Sequence, residues 1–564
     1  MQIRLASLAL VAIGACASPR TAPVATAPAP AASAPASAPA TAPSPAAAPV
    51  PTPPPAPALT EAPADWQLLD ASADRVPGIS ARRAEQELLA GRKPARTVVV
   101  AVIDGGVDTA HVDLRANLWH NPREVAGNRK DDDGNGYVDD TYGWNFLGGA
   151  NGENVNWDTL ELTREQVRCT QQPPMPADPE GRARCEAIAK EFAAKRTEYQ
   201  QLSQQVQMMD GMYARVTRIL GREIPPDSLN AARVTALQPA ADSVRAARDL
   251  YLRMAASGIT GEAISDAKTD LEGRLDYGLN TDFNPRTIVG DDPRNVAERH
   301  YGNRDVTGPD AKHGTHVAGI IGAVRGNDAG SIDGIASAVK LMVVRAVPNG
   351  DEHDKDVANA IRYAVDNGAQ VINMSFGKDF SPDKGAVDEA VKYADSRGVL
   401  LVHAAGNDSK DLATEASYPT PEYAGGGRAA NWIEVGAAAW QGGEKLAAGF
   451  TNYGKAQVDV FAPGVDILST IPGGRYARES GTSMAAPVVS GLAALLMSYF
   501  PKLTAADVKR IILESATDYS GTMVVRPGSQ SGEKVRFGDL SRTGGVVNAY
   551  TAVKAAMAAS GMVQ

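Results

Sequence analysis

Four apolar runs stand out along the chain. They are Thr97 to Ile103 in PARTVVVAVIDGGVD (94 to 108), AVKLMVVRAV (338 to 347), AQVINMSFG (369 to 377) and GVLLVHAAGN (398 to 407). Each is closed by polar residues or glycine. Runs that are continuous rather than alternating mark strands buried on both faces. DVANAIRYAVDNG and DEAVKYADSRG carry apolar residues at helical spacing and stop at glycine. Strand and helix in alternation predict an α/β domain with a mostly parallel central sheet covered on both sides. Functional side chains in such a sheet gather beyond the carboxyl ends of its strands. Asp104 and Asn407 stand at such ends.

Residues 151 to 287 follow a different rhythm. From Ile188, apolar residues recur at Phe192, Tyr199, Leu202, Val206, Met209, Tyr213, Val216 and Leu220, in steps of four and three broken only at Lys195. That is a heptad seam. A second helical stretch runs from about Ser228 to Ala256. The pattern predicts a helical hairpin inserted into the α/β domain. Met208, Met209 and Met212 read as packing residues of the seam and its flank.

The first residues are unlike either region. MQIRLASLALVAIGAC has one positive charge, then an apolar run too short to span a bilayer, so 1 to 15 reads as a signal peptide. It ends in Ile13-Gly14-Ala15-Cys16, which resembles a bacterial lipobox and implies lipidation of Cys16. Cleavage after Ala17 is the alternative. Residues 16 to 63 are almost entirely Ala, Pro, Ser and Thr, a composition that forms an extended tether rather than a core. The layout predicts an exported protein, lipid-anchored in the outer membrane or cell envelope, with a secreted or periplasmic protein as the alternative. The ordered parts are then 64 to 150 and 288 to 564, flanking the insertion. Export makes a disulfide the expected state of the other two cysteines, Cys169 and Cys185. A formal net charge of −10 argues against a nucleic-acid binder.

Candidate chemistry begins with KHGTHVAGIIG, 312 to 322. His313 and His316 are three residues apart, and no Glu lies between them. A zinc helix of the H-E-x-x-H kind needs four and a Glu. Proton transfer is the stronger reading, and it requires a carboxylate and a nucleophile. Asp104 closes a buried strand. Ser483 stands in SGTSMAAPVVSGLAALL, where a turn enters an Ala-rich helix; alone, it would read as an N-cap.

Together these segments resemble the subtilisin-like serine peptidases. VAVIDGGVDTAHVDL, HGTHVAGIIGA, NMSFG, HAAGN, FTNYG, VDVFAPGVDILST and GTSMAAPVVSGLAALL carry the resemblance over about 94 to 148 and 288 to 558. It implies a three-layer subtilisin-like fold and a serine endopeptidase acting on protein or peptide substrates through an acyl-enzyme. Ser483 would be the nucleophile, His313 the general base and then acid, Asp104 the orienting carboxylate, and Asn407 the side-chain donor to the oxyanion. His316 would be structural. Ser375, Phe376 and Gly377 would pair with an extended substrate, and Ala404 and Ala405 would form a pocket wall. No charged residue is evident among them, which points to an uncharged residue before the scissile bond. Where the family often continues Gly-Gly, this chain has Gly377-Lys378. The resemblance also implies a monomer whose insertion decorates the surface near the substrate entrance, acts as a lid, or binds a partner. Only 64 to 93 lies between tether and first strand, too little for the usual inhibitory propeptide.

DDDGNGYVDD, 131 to 140, places Asp131, Asp133, Asn135 and Asp139 at alternating or near-alternating positions around Gly136. Hard oxygens at this spacing predict a structural Ca²⁺, although Tyr142 stands where an EF-hand has Glu. Asp113 matches a calcium ligand of the family, but the remainder of that site is altered around Gly326 to Ile332. The rival to an enzyme is a surface lipoprotein using the same scaffold only to bind a partner. The complete set Asp104, His313, Asn407 and Ser483 favours the peptidase.

Overall fold

The computed structural model describes residues 59–171, 179–327 and 332–562. Cys16 and most of the tether lie outside the described residues. The apolar runs become a nine-stranded sheet. Its strands are β1 (Val98–Asp104), β2 (Gly143–Asn145), β3 (Val339–Arg345), β4 (Val371–Met374), β5 (Leu400–Ala404), β6 (Trp432–Ala438) and β7 (Val460–Pro463), with β10 (Thr517–Asp518) and β13 (Gly545–Val546). A hairpin of β8 (Ile467–Ile471) and β9 (Arg475–Glu479) and another of β11 (Met523–Val525) and β12 (Lys534–Arg536) stand apart. The sheet order is β10-β13-β7-β6-β5-β4-β1-β3-β2, and only the β10–β13 pair is antiparallel.

Alternation along β1 shows why both faces are covered. Val98, Val100 and Val102 point into one apolar cluster, Ala101 and Ile103 into the other. The first cluster holds the helices Lys312–Gly322, Thr482–Tyr499, Ala505–Glu514 and Ala549–Ala559, and also Trp66, Ala84 and Leu89 from the stretch preceding β1. The second holds the helices Asp354–Asp366 and Lys384–Ser396. Thr482–Tyr499 is apolar and long enough to cross a membrane, but it is buried in the core.

The helical insertion is larger than a hairpin. In chain order, helix α1 is Glu161–Thr170, α2 Pro179–Leu220, α3 Asp242–Ala256 and α4 Gly261–Gly273; α5 is Lys312–Gly322, α6 Asp354–Asp366, α7 Lys384–Ser396 and α8 Thr482–Tyr499. The heptad seam is α2, with Ile188, Tyr199, Val206, Met209, Val216 and Leu220 buried. Met208 and Met212 are exposed instead of packed. The second predicted stretch breaks between Ala236 and Asp242, so α3 is preceded by a separate short helix. Cys169 of α1 and Cys185 of α2 form a disulfide.

Candidate active site

Three chain segments meet beyond the carboxyl ends of β1, β4 and β5. Asp104 ends β1 and is buried. His313 is the second residue of α5, and its Nδ1 lies 2.9 Å from each carboxylate oxygen of Asp104. Gly314 permits this approach: a Cβ there would sit 2.2 Å from the Gly106 carbonyl and 3.0 Å from Asp104 Oδ1. Desolvation by the surrounding walls would lower the His313 pKa, but the Asp104 carboxylate outweighs it and holds the ring above its ordinary value. His316, one turn on, has the opposite environment. It is fully buried, its Nε2 lies 3.0 Å from both Ile467 O and Ala477 O, and burial pushes its pKa down to about 4. It is a packed neutral ring that ties α5 to the β8–β9 hairpin.

Ser483 is the second residue of α8. The N-cap is Gly481, so the Ser483 hydroxyl is not consumed in capping. Its Oγ donates to the Ser375 carbonyl at 3.2 Å, while Ser375 Oγ donates to the Ser483 carbonyl at 2.9 Å. The start of α8 is thereby fastened to the residue just after β4. Asn407 stands three residues after β5. Its Oδ1 accepts from Thr482 N at 2.9 Å and Thr482 Oγ1 at 3.0 Å, which orients the amide and leaves its NH₂ end for the cleft. Helix N-termini carry partial positive charge, so the opening turn of α8 favours a negative oxygen beside Ser483.

The edge Ser375-Phe376-Gly377 runs away from Ser483. A Cβ at Gly377 would lie 2.9 Å from Ser417 Oγ and 3.3 Å from the Tyr418 carbonyl, so any other residue would need the Ser417 side chain to shift. Ala405 does not line a pocket as the sequence suggested. It is fully buried, packed with Leu446 and Phe461, because the strand turns its side chain into the core. His403, unflagged in the sequence, supports the edge from behind. Its Nε2 lies 2.9 Å from the Phe376 carbonyl and its Nδ1 2.9 Å from Glu434 Oε1. A polar residue inside the otherwise apolar run GVLLVHAAGN was the available signal.

The acidic loop is also altered in detail. Carboxylate oxygens of Glu124, Asp131 and Asp133 lie within 4.8 Å of one another. Backbone N–H groups of Gly136, Gly134 and Asn135 hold the Asp131 carboxyl below its ordinary pKa, against the desolvation that would raise it. Asn135 lies beside this cluster, its Nδ2 donating to Asp133 Oδ2 at 3.2 Å and its Oδ1 accepting from Tyr137 N at 2.8 Å. Asp139 is directed elsewhere. It has a left-handed backbone (φ 58°), and its oxygens accept from Gly127 N, Arg129 N and Arg304. Glu124 stands in its stead. Asp113 is engaged by Asn327 Nδ2 at 2.6 Å and the Tyr476 hydroxyl at 2.7 Å.

Residues 95–532 match the model of the subtilase family, peptidase S8. A thermophilic serine proteinase of Bacillus sp. (strain AK1) is 40% identical over 267 residues, 47% of this chain and 59% of the relative. The major intracellular serine protease of Bacillus subtilis (strain 168) is 37% identical over 253 residues, 44% of this chain and 72% of that protein. The chain thus spans only part of the curated relatives it matches. A solved structure titled as proteases from Pseudoalteromonas arctica PAMC 21717 aligns with a TM-score of 0.46 at 19% identity, covering 88% of this chain and 99% of its own. With the family model spanning most of the chain, this protein belongs to the subtilase family.

Proposed function

We propose that the protein is a serine endopeptidase working through Asp104, His313 and Ser483. The observation that carries this reading is the buried Asp104 carboxylate on His313 Nδ1, with Ser483 at the start of α8, the helix packed against α5. Asp104 fixes the tautomer with hydrogen on Nδ1 and leaves Nε2 free to take a proton. The Ser483 hydroxyl leaves its bond to Ser375 O, gives its proton to His313 Nε2 and attacks the substrate carbonyl carbon. The oxygen that becomes negative is met by Asn407 Nδ2 and the Ser483 backbone N–H. His313 then protonates the departing amine, and the C–N bond breaks to leave an ester on Ser483. Water, deprotonated by His313, hydrolyses that ester.

Substrate pairing belongs to Ser375, Phe376 and Gly377, with Ala404 on the pocket wall. A structural Ca²⁺ at Glu124, Asp131 and Asp133 fits the donor set: all offer hard oxygens, and Glu124 Oε2 is buried with no partner among the described residues. The ion would neutralise the loop's charge and takes no part in the chemistry. The signal layout and the Cys169–Cys185 disulfide support an exported protein anchored to a membrane through Cys16.

A fluorophosphonate probe tests the reading. Wild-type protein should be labelled in the presence of calcium, and Ser483→Ala should not. No labelling of the folded wild type would favour the binding-scaffold alternative.

A further inference from the structure

The far end of the Ser375–Gly377 edge is closed by main-chain pairing and by charge: Lys378 N donates to Tyr418 O at 3.0 Å and Tyr418 N to Lys378 O at 2.8 Å. Lys378 follows Gly377, and its side chain is 2% exposed. Its Nζ lies 3.1 Å from Glu161 Oε2 and 2.9 Å from Asp354 Oδ1, and donates to the Glu352 carbonyl at 2.7 Å. Glu161 is the first residue of α1, so Lys378 reaches directly into the insertion. Arg164, one turn along α1, holds Glu161 Oε2 at 2.6 Å and donates to the carbonyls of Asp351 at 3.1 Å and Glu352 at 3.2 Å. Asp158 pairs with His353 at 3.1 Å. Burial would raise the Glu161 carboxyl, but Arg164 and Lys378 overcome it and hold the group ionised.

The backbone runs alongside. Asn349 N donates to Asn156 O at 2.9 Å, and Asp158 N to Asn349 O at 3.0 Å. Phe380, two residues beyond Lys378, packs into the apolar cluster of the insertion with Leu160, Leu162 and Ile188. The insertion is therefore joined to the end of the cleft edge by buried ions and apolar contact, and to the neighbouring Asn349 segment by main-chain bonds. Buried ion pairs add little net stability, because desolvation offsets the attraction; what they can contribute is one definite geometry.

The edge begins at Ser375, bonded to Ser483, so on the peptidase reading it would run along the acyl side of a bound peptide. At about 3.3 Å per residue, Lys378 lies roughly 10 Å along it from Ser375. We propose that the Lys378–Glu161 pair makes α1 the end wall of the substrate groove, so that the peptidase recognises about three residues on the acyl side of the scissile bond. The proposal rests on the peptidase reading above. Residues further upstream must leave the groove over α1 and contribute no binding.

Internally quenched peptides with a fixed leaving side and two, three, four or six acyl-side residues test this on the full chain. Rates are normalised to the fraction of Ser483 labelled by a fluorophosphonate. In the wild type, kcat/KM should rise about tenfold from two to three residues and less than twofold from three to six. In the double variant Glu161→Gln, Lys378→Gly the step from three to six should grow at least fivefold, mainly through KM. A tenfold gain between three and six in the wild type would overturn the proposal, and so would an unchanged step in a folded double variant. Should the double variant not fold, the wild-type series alone decides. Labelling with no plateau removes the wall but leaves the peptidase; absence of both labelling and cleavage removes both.

Discussion

The two ends of one short edge are held by different forces. At Ser375 the fastening is neutral: two serine hydrogen bonds to α8, backed by the apolar core of the sheet. At Lys378 two main-chain bonds to Tyr418 are joined by an ionic network, with buried charges from three segments. Neutral bonds in a close-packed core are indifferent to pH and salt. Buried charges have a large desolvation cost and respond to the protonation of every neighbour. The difference separates the reacting end, which must not move, from the end that bounds the substrate.

Changes at the reacting end should abolish turnover and spare the fold. Asp104→Asn should lower kcat by about 10⁴-fold, the loss this change causes in serine peptidases with the same triad. The wild-type kcat/KM should rise with pH through a value above the ordinary imidazole pKa of 6.5, since His313 must be neutral to act and Asp104 stabilises its charged form. In Asp104→Asn that limb should move to lower pH. Asn407→Ala should cost about 10²–10³ in kcat with KM nearly constant, the range known for the equivalent donor of a subtilisin. A melting temperature reduced in step with activity would break the separation.

Changes at the far end should do the reverse. Lys378→Met leaves Asp354 without its cation and should destabilise by about 3 kcal/mol, read in denaturant unfolding. Glu352 supplies a pH signature. Burial pushes its carboxyl up to about 7 from the ordinary 4.5, with Lys378 opposing. The folded state therefore binds this proton more strongly than the unfolded one, so its contribution is greatest below about pH 4.5 and is lost as pH rises towards 7. Glu352→Gln should flatten the stability profile across that window. Calcium removal is a control remote from both ends: chelation should lower the melting temperature by a few degrees and leave the peptide-length series unchanged.

What the sequence disclosed divides along the same line. Asp104, His313, Asn407 and Ser483 each sit at a strand end or helix start, where local pattern indicates position. Lys378 and Glu161 are separated by 217 residues. Neither carries a local pattern, and a lysine after Gly377 reads only as a departure from Gly-Gly. α1 and α4 were less legible because buried polar residues interrupt their apolar pattern, Glu161, Thr163 and Glu165 in α1 and Asp270 in α4. Asp139 was misplaced because spacing does not report the left-handed backbone that turns its carboxylate away, and Glu124 because it precedes the loop by seven residues.

The helix α2 has 42 residues, about 63 Å of rod. It carries two apolar clusters in series. The first, around Ile188, Tyr199 and Val206, includes the residues packed against α1. The second, around Val216, Leu220, Val244 and Tyr251, meets the first at Tyr213 and Leu250. A substitution near Ile188 is felt at the substrate wall. One near Leu220 lies some 48 Å further along the same helix, where the chain can vary in composition and length while the groove keeps its shape.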